Sequence, residues 1–403
     1  MAFWLGAAVL FLMLAAAAAT APLYPVYQAK WRFSPTTLTA VFAVYVLFVL
    51  ITLLLFGSLS DHVGRRRVVV AGIAIEAAAC VLFLLAGGVG PLFGARALQG
   101  AAVGLTTGAV GAELLDLRPN GGLASLVTSL TASAGLAAGA LIASALVQYG
   151  PAPTHLVWWL LLAAFVIGIP AVLRMPETGT MRPGALKSLR PHVAVPREAR
   201  GTFAVAVPCL IGVWALGGFY LSLGPSLTAQ LARSQNLLWG GISIFLLTGL
   251  GSGVSVKLRS SDPPLVMLSG SVMLLVGALV TFGAILSGSA PVLLLGTALA
   301  GLGFGPAFLG AYRTIVAFAP PDDRAGLVAA IYTVNYLAFG IPALIAGVTT
   351  THYGLHQTAL VYSLVVAALA ALGASSFPLL RRRPPSIAAY PPLPPGPCTV
   401  PPH

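Results

Sequence analysis

The stretch from Leu265 to Leu286 carries no charge and no alternation of polar with apolar side chains, and runs like it recur along the whole chain. A hydrocarbon layer about 30 Å thick is crossed by about 20 residues of helix rising 1.5 Å each. Every backbone amide inside it must be paired within the protein, which leaves helices and closed barrels. Barrel strands alternate polar and apolar residues; these runs do not. The chain therefore reads as an all-α membrane protein. Its 403 residues are 58% hydrophobic and 7% charged, against about 25% charged in a soluble domain.

The runs divide into twelve spans. The first six are Ala2 to Tyr24, Thr36 to Ser58, Val68 to Gly88, Pro91 to Leu114, Leu123 to Val147 and His155 to Arg174. The second six are Thr202 to Leu223, Leu237 to Leu258, Pro264 to Leu286, Pro291 to Tyr312, Ala325 to Val348 and Gln357 to Leu380. Met1 to Ala21 lacks a basic head and reads as part of the first span rather than as a signal peptide. The expected organisation is a bundle over residues 1–174, a cytoplasmic linker over 175–201 and a second bundle over 202–380. A basic, Pro-rich tail over 381–403 follows, with nine prolines in its last twenty residues, and is expected to be disordered. A shift of 204 residues lays Gly122-Leu123 on Gly326-Leu327, Ala134 on Ala338 and Tyr149-Gly150 on Tyr353-Gly354, so the halves read as parallel repeats with a substrate site between them.

The net charge of +12 raises the question of nucleic acid, and its placement answers it. With the N-terminus inside, 17 of the 21 Lys and Arg residues fall in cytoplasmic segments. Lys30, Arg32 and Arg233 lie on the other side, and Arg96 falls within a span. That is the positive-inside asymmetry of a membrane protein with both termini cytoplasmic. Cys80, Cys209 and Cys398 form no CxxC pair, so neither a disulfide framework nor a metal site is implied. No Walker GxxxxGK[ST] occurs, which argues against ATP as the direct energy source, and the glycine triplets at Gly249 and Gly301 follow no strand, so no cofactor is expected.

Two local patterns stand out. Gly57-Ser-Leu-Ser-Asp61-His-Val-Gly64-Arg65-Arg66-Arg67 occupies the tight loop after span two, and Arg96-Ala-Leu-Gln99-Gly100 lies in span four. Glycines let the loop turn sharply, and the carboxylate of Asp61 can accept hydrogen bonds from the positive N-terminus of a helix. Arg65 and Arg66 have Glu113 and Asp116, at the inner end of span four, as plausible partners. A charge inside a span costs about 2.5 to 3.5 kcal/mol on insertion scales, so Arg96 needs a partner or an aqueous cavity unless it snorkels. Gln99, Gly100, Val103 and Thr107 follow it at helical spacing. Glu76, deep in span three, can carry a proton or sit hydrogen-bonded to a neighbouring helix.

Both patterns resemble signatures of the major facilitator superfamily: G-x-x-x-D-[RK]-x-G-[RK]-[RK] between helices two and three, with His62 at one basic position, and R-x-x-Q-G in helix four. The resemblance extends over residues 1 to about 380 and implies two pseudo-symmetric six-helix bundles working by alternating access. It implies that Asp61, within a cytoplasmic gate of Gly57, Asp61, Gly64, Arg65, Arg66, Glu113 and Asp116, meets the start of helix eleven near Arg324 and Ala325. It also associates Arg96 with proton coupling. No acid lies in span one, where several proton-coupled drug exporters of the family carry one. Gly135 and Gly139 of span five retain part of an antiporter pattern whose proline is absent, and close helix packing accounts for them.

Polar and aromatic residues on otherwise apolar helices mark a substrate cavity: Gln28, Gln99, Thr107, Trp214, Tyr220, Tyr332, Asn335 and Tyr336. Tyr24 and Tyr27 read as interfacial anchors. The leading expectation is a monomeric secondary transporter of the cell membrane that exports a small molecule against protons. The rivals are a facilitator or symporter for a sugar or metabolite and, remotely, an intramembrane enzyme, which would need paired catalytic residues at one depth.

Overall fold

The computed structural model describes residues 1–118, 123–179, 181, 183–320 and 323–381. The expected tail beyond Arg381, with Cys398, lies outside the described residues, as does Gly122 of the repeat. Among the described residues the regular elements are all helices, with no strand. The helices are α1 (Ala2–Trp31), α2 (Pro35–Phe56), α3 (Ser60–Val63), α4 (Arg65–Leu84), α5 (Val89–Leu117), α6 (Leu123–Tyr149), α7 (Leu156–Leu173) and α8 (Ala185–Ser188). After them come α9 (Arg197–Ser222), α10 (Gly224–Ala232), α11 (Leu238–Lys257), α12 (Pro263–Ser287), α13 (Ala290–Val316), α14 (Arg324–Ser375) and α15 (Phe377–Arg381).

Local chemistry sets the ends. Ser34 caps α2 by accepting the Thr37 N–H at 3.1 Å, with Pro35 at the first helical position, where its missing N–H costs nothing. Asp262, followed by two prolines, opens α12 in the same way. Among the described residues, ten stretches are long and apolar enough to cross a membrane. One of them, Arg324–Arg381, contains two spans, because Gly354 at φ 81 breaks the helical path of α14. The twelfth span is α5, whose apolarity is diluted by Arg96, Gln99, Glu113 and Asp116 although it packs between α2 and α4.

The packing explains how these helices divide. In the first half α1 lies on α5 and α6, α2 on α5, and α4 on α5 and α7. In the second half α9 lies on α14, α12 on α13 and α14, and α11 on α13. Two helix pairs make most of the contact between the halves, α2 with α14 and α6 with α11. Hydrogen bonds tie both pairs at the ends that the charge placement puts outside. Thr36 meets Thr351 through their hydroxyls at 2.8 Å and donates to the Gly347 carbonyl at 3.3 Å. The Leu237 N–H donates to Gln148 Oε1 at 2.9 Å, and Asn236 Nδ2 donates to the Tyr149 hydroxyl at 3.2 Å. Phe42 and Phe339 then pack across the seam with ring centres 5.0 Å apart.

Three features differ from the sequence expectation. Helix α1 runs on to Trp31, so Tyr24 and Tyr27 are not lipid-facing anchors: both are buried, and the Tyr27 hydroxyl accepts from Trp158 Nε1 of α7 at 3.0 Å. The protein itself covers this end of the helix. A short helix, α10, follows α9 where a loop was expected, and α9 begins within the linker at Arg197.

Membrane helices gain little from the hydrophobic effect against each other and rely on close backbone approach. Gly139 of α6 shows this: a Cβ there would fall 2.7 Å from the carbonyl carbon of Ala15 in α1. Overpacking costs about 1 to 3 kcal/mol, so Gly139→Val should lower the melting temperature of the purified protein. Gly168→Val in α7, where nothing lies within 4 Å, should change it far less, and equal shifts would contradict this packing account.

Candidate functional site

The geometry centres on Arg96. Its place three residues before Gln99 on α5 puts both side chains on one face, and Glu76 of α4 reaches that face from the adjoining helix. All three are buried, with Arg96 1% exposed, so the snorkelling reading of Arg96 does not hold. Nη1 of Arg96 donates to the Ala17 carbonyl of α1 at 3.3 Å and to Oε1 of Gln99. Gln99 Nε2 donates to Glu76 Oε1 at 2.9 Å. A guanidinium can only donate and an ionised carboxylate can only accept, so an amide between them is held in one orientation. The ring of Tyr45 lies 4.0 Å from Arg96 Cζ and that of Tyr24 lies 5.9 Å away, both within cation–π range. Arg96 Nε, Glu76 Oε2 and the Tyr24 hydroxyl are buried with no hydrogen-bond partner among the described residues. Unsatisfied buried polar atoms are costly and therefore informative.

Arg96 and Tyr45 border a cavity of about 20 Å³ together with Ala17, Thr20, Phe42 and Phe339. A space of this size holds about one water. A wider apolar groove of about 400 Å³, open on the outer surface of α2, α4 and α5, touches none of these buried polar residues and is not the site.

Across the seam, Asn335 is fully buried and neither of its amide atoms has a partner among the described residues. Trp214 packs on Phe339, Tyr336 and Phe308, and its indole N–H is likewise unpartnered. Tyr332 and Tyr336 stack with centres 6.3 Å apart. The remaining expected cavity residues lie elsewhere. Gln28 sits at the end of α1, donating to the Phe33 carbonyl at 3.0 Å. The Tyr220 hydroxyl is joined to Thr297 of α13 at 2.6 Å, within the packing of the second half. Thr107 returns its hydroxyl to the Val103 carbonyl of its own helix.

In the loop before α4, Asp61 pairs with Arg65 at 3.5 Å and is half exposed. The helix-eleven contact expected of it is replaced by this local pair, because Asp61 and Arg65 stand one helical turn apart. The start of α14 meets the linker instead, where the Ala194 N–H donates to the Gly326 carbonyl at 3.2 Å. Arg65 binds Asp116 at 2.8 Å, as expected, whereas Glu113 is buried with Oε2 unpartnered among the described residues. Arg66 donates to the Leu173 and Met175 carbonyls. Gly64, at φ 100, adopts a backbone conformation that favours glycine. Gly57 ends α2 where a Cβ would crowd the Leu53 carbonyl.

Sequence reasoning missed Glu177, Tyr45, Phe42 and Phe339. Glu177 Oε1 accepts the N–H groups of Arg65 at 2.7 Å, Arg66 at 3.4 Å and Gly179 at 3.2 Å, capping α4 from 112 residues away. No local pattern signals such a partner. Tyr45 had a weak signal, as the ring three residues after Phe42 on one helix face.

The model of the Major Facilitator Superfamily matches residues 6–279. The multidrug transporter MdfA of Yersinia pestis bv. Antiqua (strain Angola) is 31% identical over 161 residues, which is 39% of this chain. The match spans 37% of that relative's length, and the MdfA of Yersinia pestis strain D106004 gives the same figures. Among solved structures, the nucleoside transporter NupG superposes with a TM-score of 0.73 at 14% identity, over 94% of this chain and all of that one. A POT family transporter in complex with 5-aminolevulinic acid superposes at 0.76 and 10% identity, over 94% of this chain and 96% of that one. At these identities the two structures show the fold alone.

The cap at α4 yields a stability test. Losing an N-terminal cap costs about 1 kcal/mol, whereas an exposed ion pair is worth about 0 to 1 kcal/mol. Glu177→Ala should therefore lower the melting temperature more than Asp61→Asn does in the purified protein. The reverse order would mean that Asp61, not Glu177, holds the loop.

Proposed function

The chain belongs to the Major Facilitator Superfamily, and on that premise we propose that it moves a small molecule across the cell membrane by alternating access, with export coupled to protons. The observation that carries the coupling is the buried chain from Arg96 through Gln99 to Glu76. Arg96 supplies a fixed positive charge, because a guanidinium keeps its proton. Glu76 is the one group of the three that can gain and lose one. A rearrangement that moved Gln99 would change the field at Glu76 and so link proton exchange to the conformation of the halves.

The outer hydrogen bonds fit such a cycle. Each is a neutral contact worth about 0.5 to 1.5 kcal/mol net, so the set can be released when a ligand favours the other conformation. The partial likeness to a multidrug transporter supports the outward direction. A second reading, uptake of a metabolite together with a proton, is favoured by the charge of the cavity, which Arg96 makes positive. The charge asymmetry supports a topology with both termini in the cytoplasm.

The test is a solute screen in proteoliposomes containing a pH dye, with and without an imposed gradient. The wild type should move protons when a transported solute is added, and the sign separates export against protons from uptake with them. Arg96→Lys and Glu76→Gln should each reduce that proton movement at least tenfold, because an ammonium lacks the planar fork and an amide carries no proton. Solute flux without proton movement in the wild type would overturn the coupling. Normal proton movement in both variants would move the coupling site elsewhere.

A further inference from the structure

The polar groups at the seam between the halves are unequal in sign. Arg96 contributes a full positive charge, and its Nε has no hydrogen-bond partner among the described residues. Tyr24 and Trp214 add a hydroxyl and an indole N–H without partners, and Asn335 adds an amide. No carboxylate lines the cavity beside Arg96. Of the nine acids in the chain, Glu76 lies behind Gln99, which occupies its Oε1, and Glu113 lies nearly five helical turns away, near the far end of α5. The other acids fall in segments at the cytoplasmic side. The two ion pairs among the described residues are both made by Arg65, so the guanidinium of Arg96 has no direct anionic partner. The nearby walls are the rings of Tyr45, Phe42 and Phe339.

A cation entering this space would shed its water beside a fixed positive charge with no counter-charge in contact, which is unfavourable in a low-dielectric interior. A carboxylate would meet planar, partly unused donors that suit two parallel hydrogen bonds, and an apolar ring behind it would meet aromatic walls. From this asymmetry we infer that the transported solute is a small organic anion, an aromatic carboxylate in its simplest form, whose charged group docks on Arg96. The inference rests on the transport reading for the word transported, while the binding site stands independently of it. The side chains lining the cavity must move to admit such a ligand, since the space beside Arg96 holds about one water.

Three probes of nearly equal size and different charge test it: benzoate, benzamide and benzylamine, each titrated into the purified full chain while its melting temperature is followed. Benzoate should stabilise the wild type with an apparent affinity at least tenfold tighter than benzamide, and benzylamine should have no effect. Arg96→Gln should bring benzoate down to the level of benzamide. Preference for benzylamine, equal response to benzoate and benzamide, or no response to any probe in the wild type would overturn the inference without recourse to a variant. So would a benzoate preference that survived in Arg96→Gln. Benzoate flux into proteoliposomes separates the two claims: binding without flux supports the anion site and removes the transport reading.

Discussion

A guanidinium buried in a membrane helix has to be satisfied by the protein, and the arrangement around Arg96 follows from that requirement. Isolated, it would be expelled toward water or would draw water in. Here a carbonyl of α1, an amide of its own helix and the ring of Tyr45 share the task. Three helices, α1, α2 and α5, are thereby fixed around one charge, and Gln99 extends the contact to α4 through Glu76. Arg96 Nε stays without a hydrogen-bond partner among the described residues, and Arg96 borders the small cavity with Phe42 and Phe339, so the same residue is both a structural centre and the candidate ligand site.

That charge would be pointless in a rigid bundle. The halves meet along two helix pairs, α2 with α14 and α6 with α11, and the hydrogen bonds across those pairs cluster at one end. Glycines let helices touch directly within a half, as at Gly139, and also across the seam, where Gly241 of α11 lies against Ser144 of α6 and Gly347 of α14 against Thr39 of α2, beside the rings of Phe42 and Phe339. A molecule built in this way can rock about the seam while each half keeps its own packing. At the inner end the cap from Glu177 and the Arg65–Asp116 pair hold the loop before α4 to the end of α5 and to the chain after α7.

Much of this was legible in the sequence. Apolar runs and charge placement fixed the spans, because hydrocarbon thickness and the cost of moving charge leave few choices. Arg96, Gln99 and Glu76 were legible as candidates since polar residues inside spans are rare. Their joining was not, because the distance between neighbouring helices is set by side chains far apart in the chain. Glu177 shows the same limit: it looks like one acid in a basic linker, and only the fold brings it to the N-terminus of α4. Gln28 and Tyr220 show another limit, since a sequence does not tell whether a polar residue on a suitable face spends its hydrogen bond locally or within its own half, as these two do.

The central claim is that Gln99 transmits between the charge of Arg96 and the carboxylate of Glu76. It is tested most directly by replacing Gln99 with Leu, which keeps the bulk of the side chain and removes both hydrogen bonds, and recording solute-driven proton movement in proteoliposomes. The account predicts that movement falls at least tenfold while the variant remains folded and inserted. Wild-type proton movement in Gln99→Leu would contradict it.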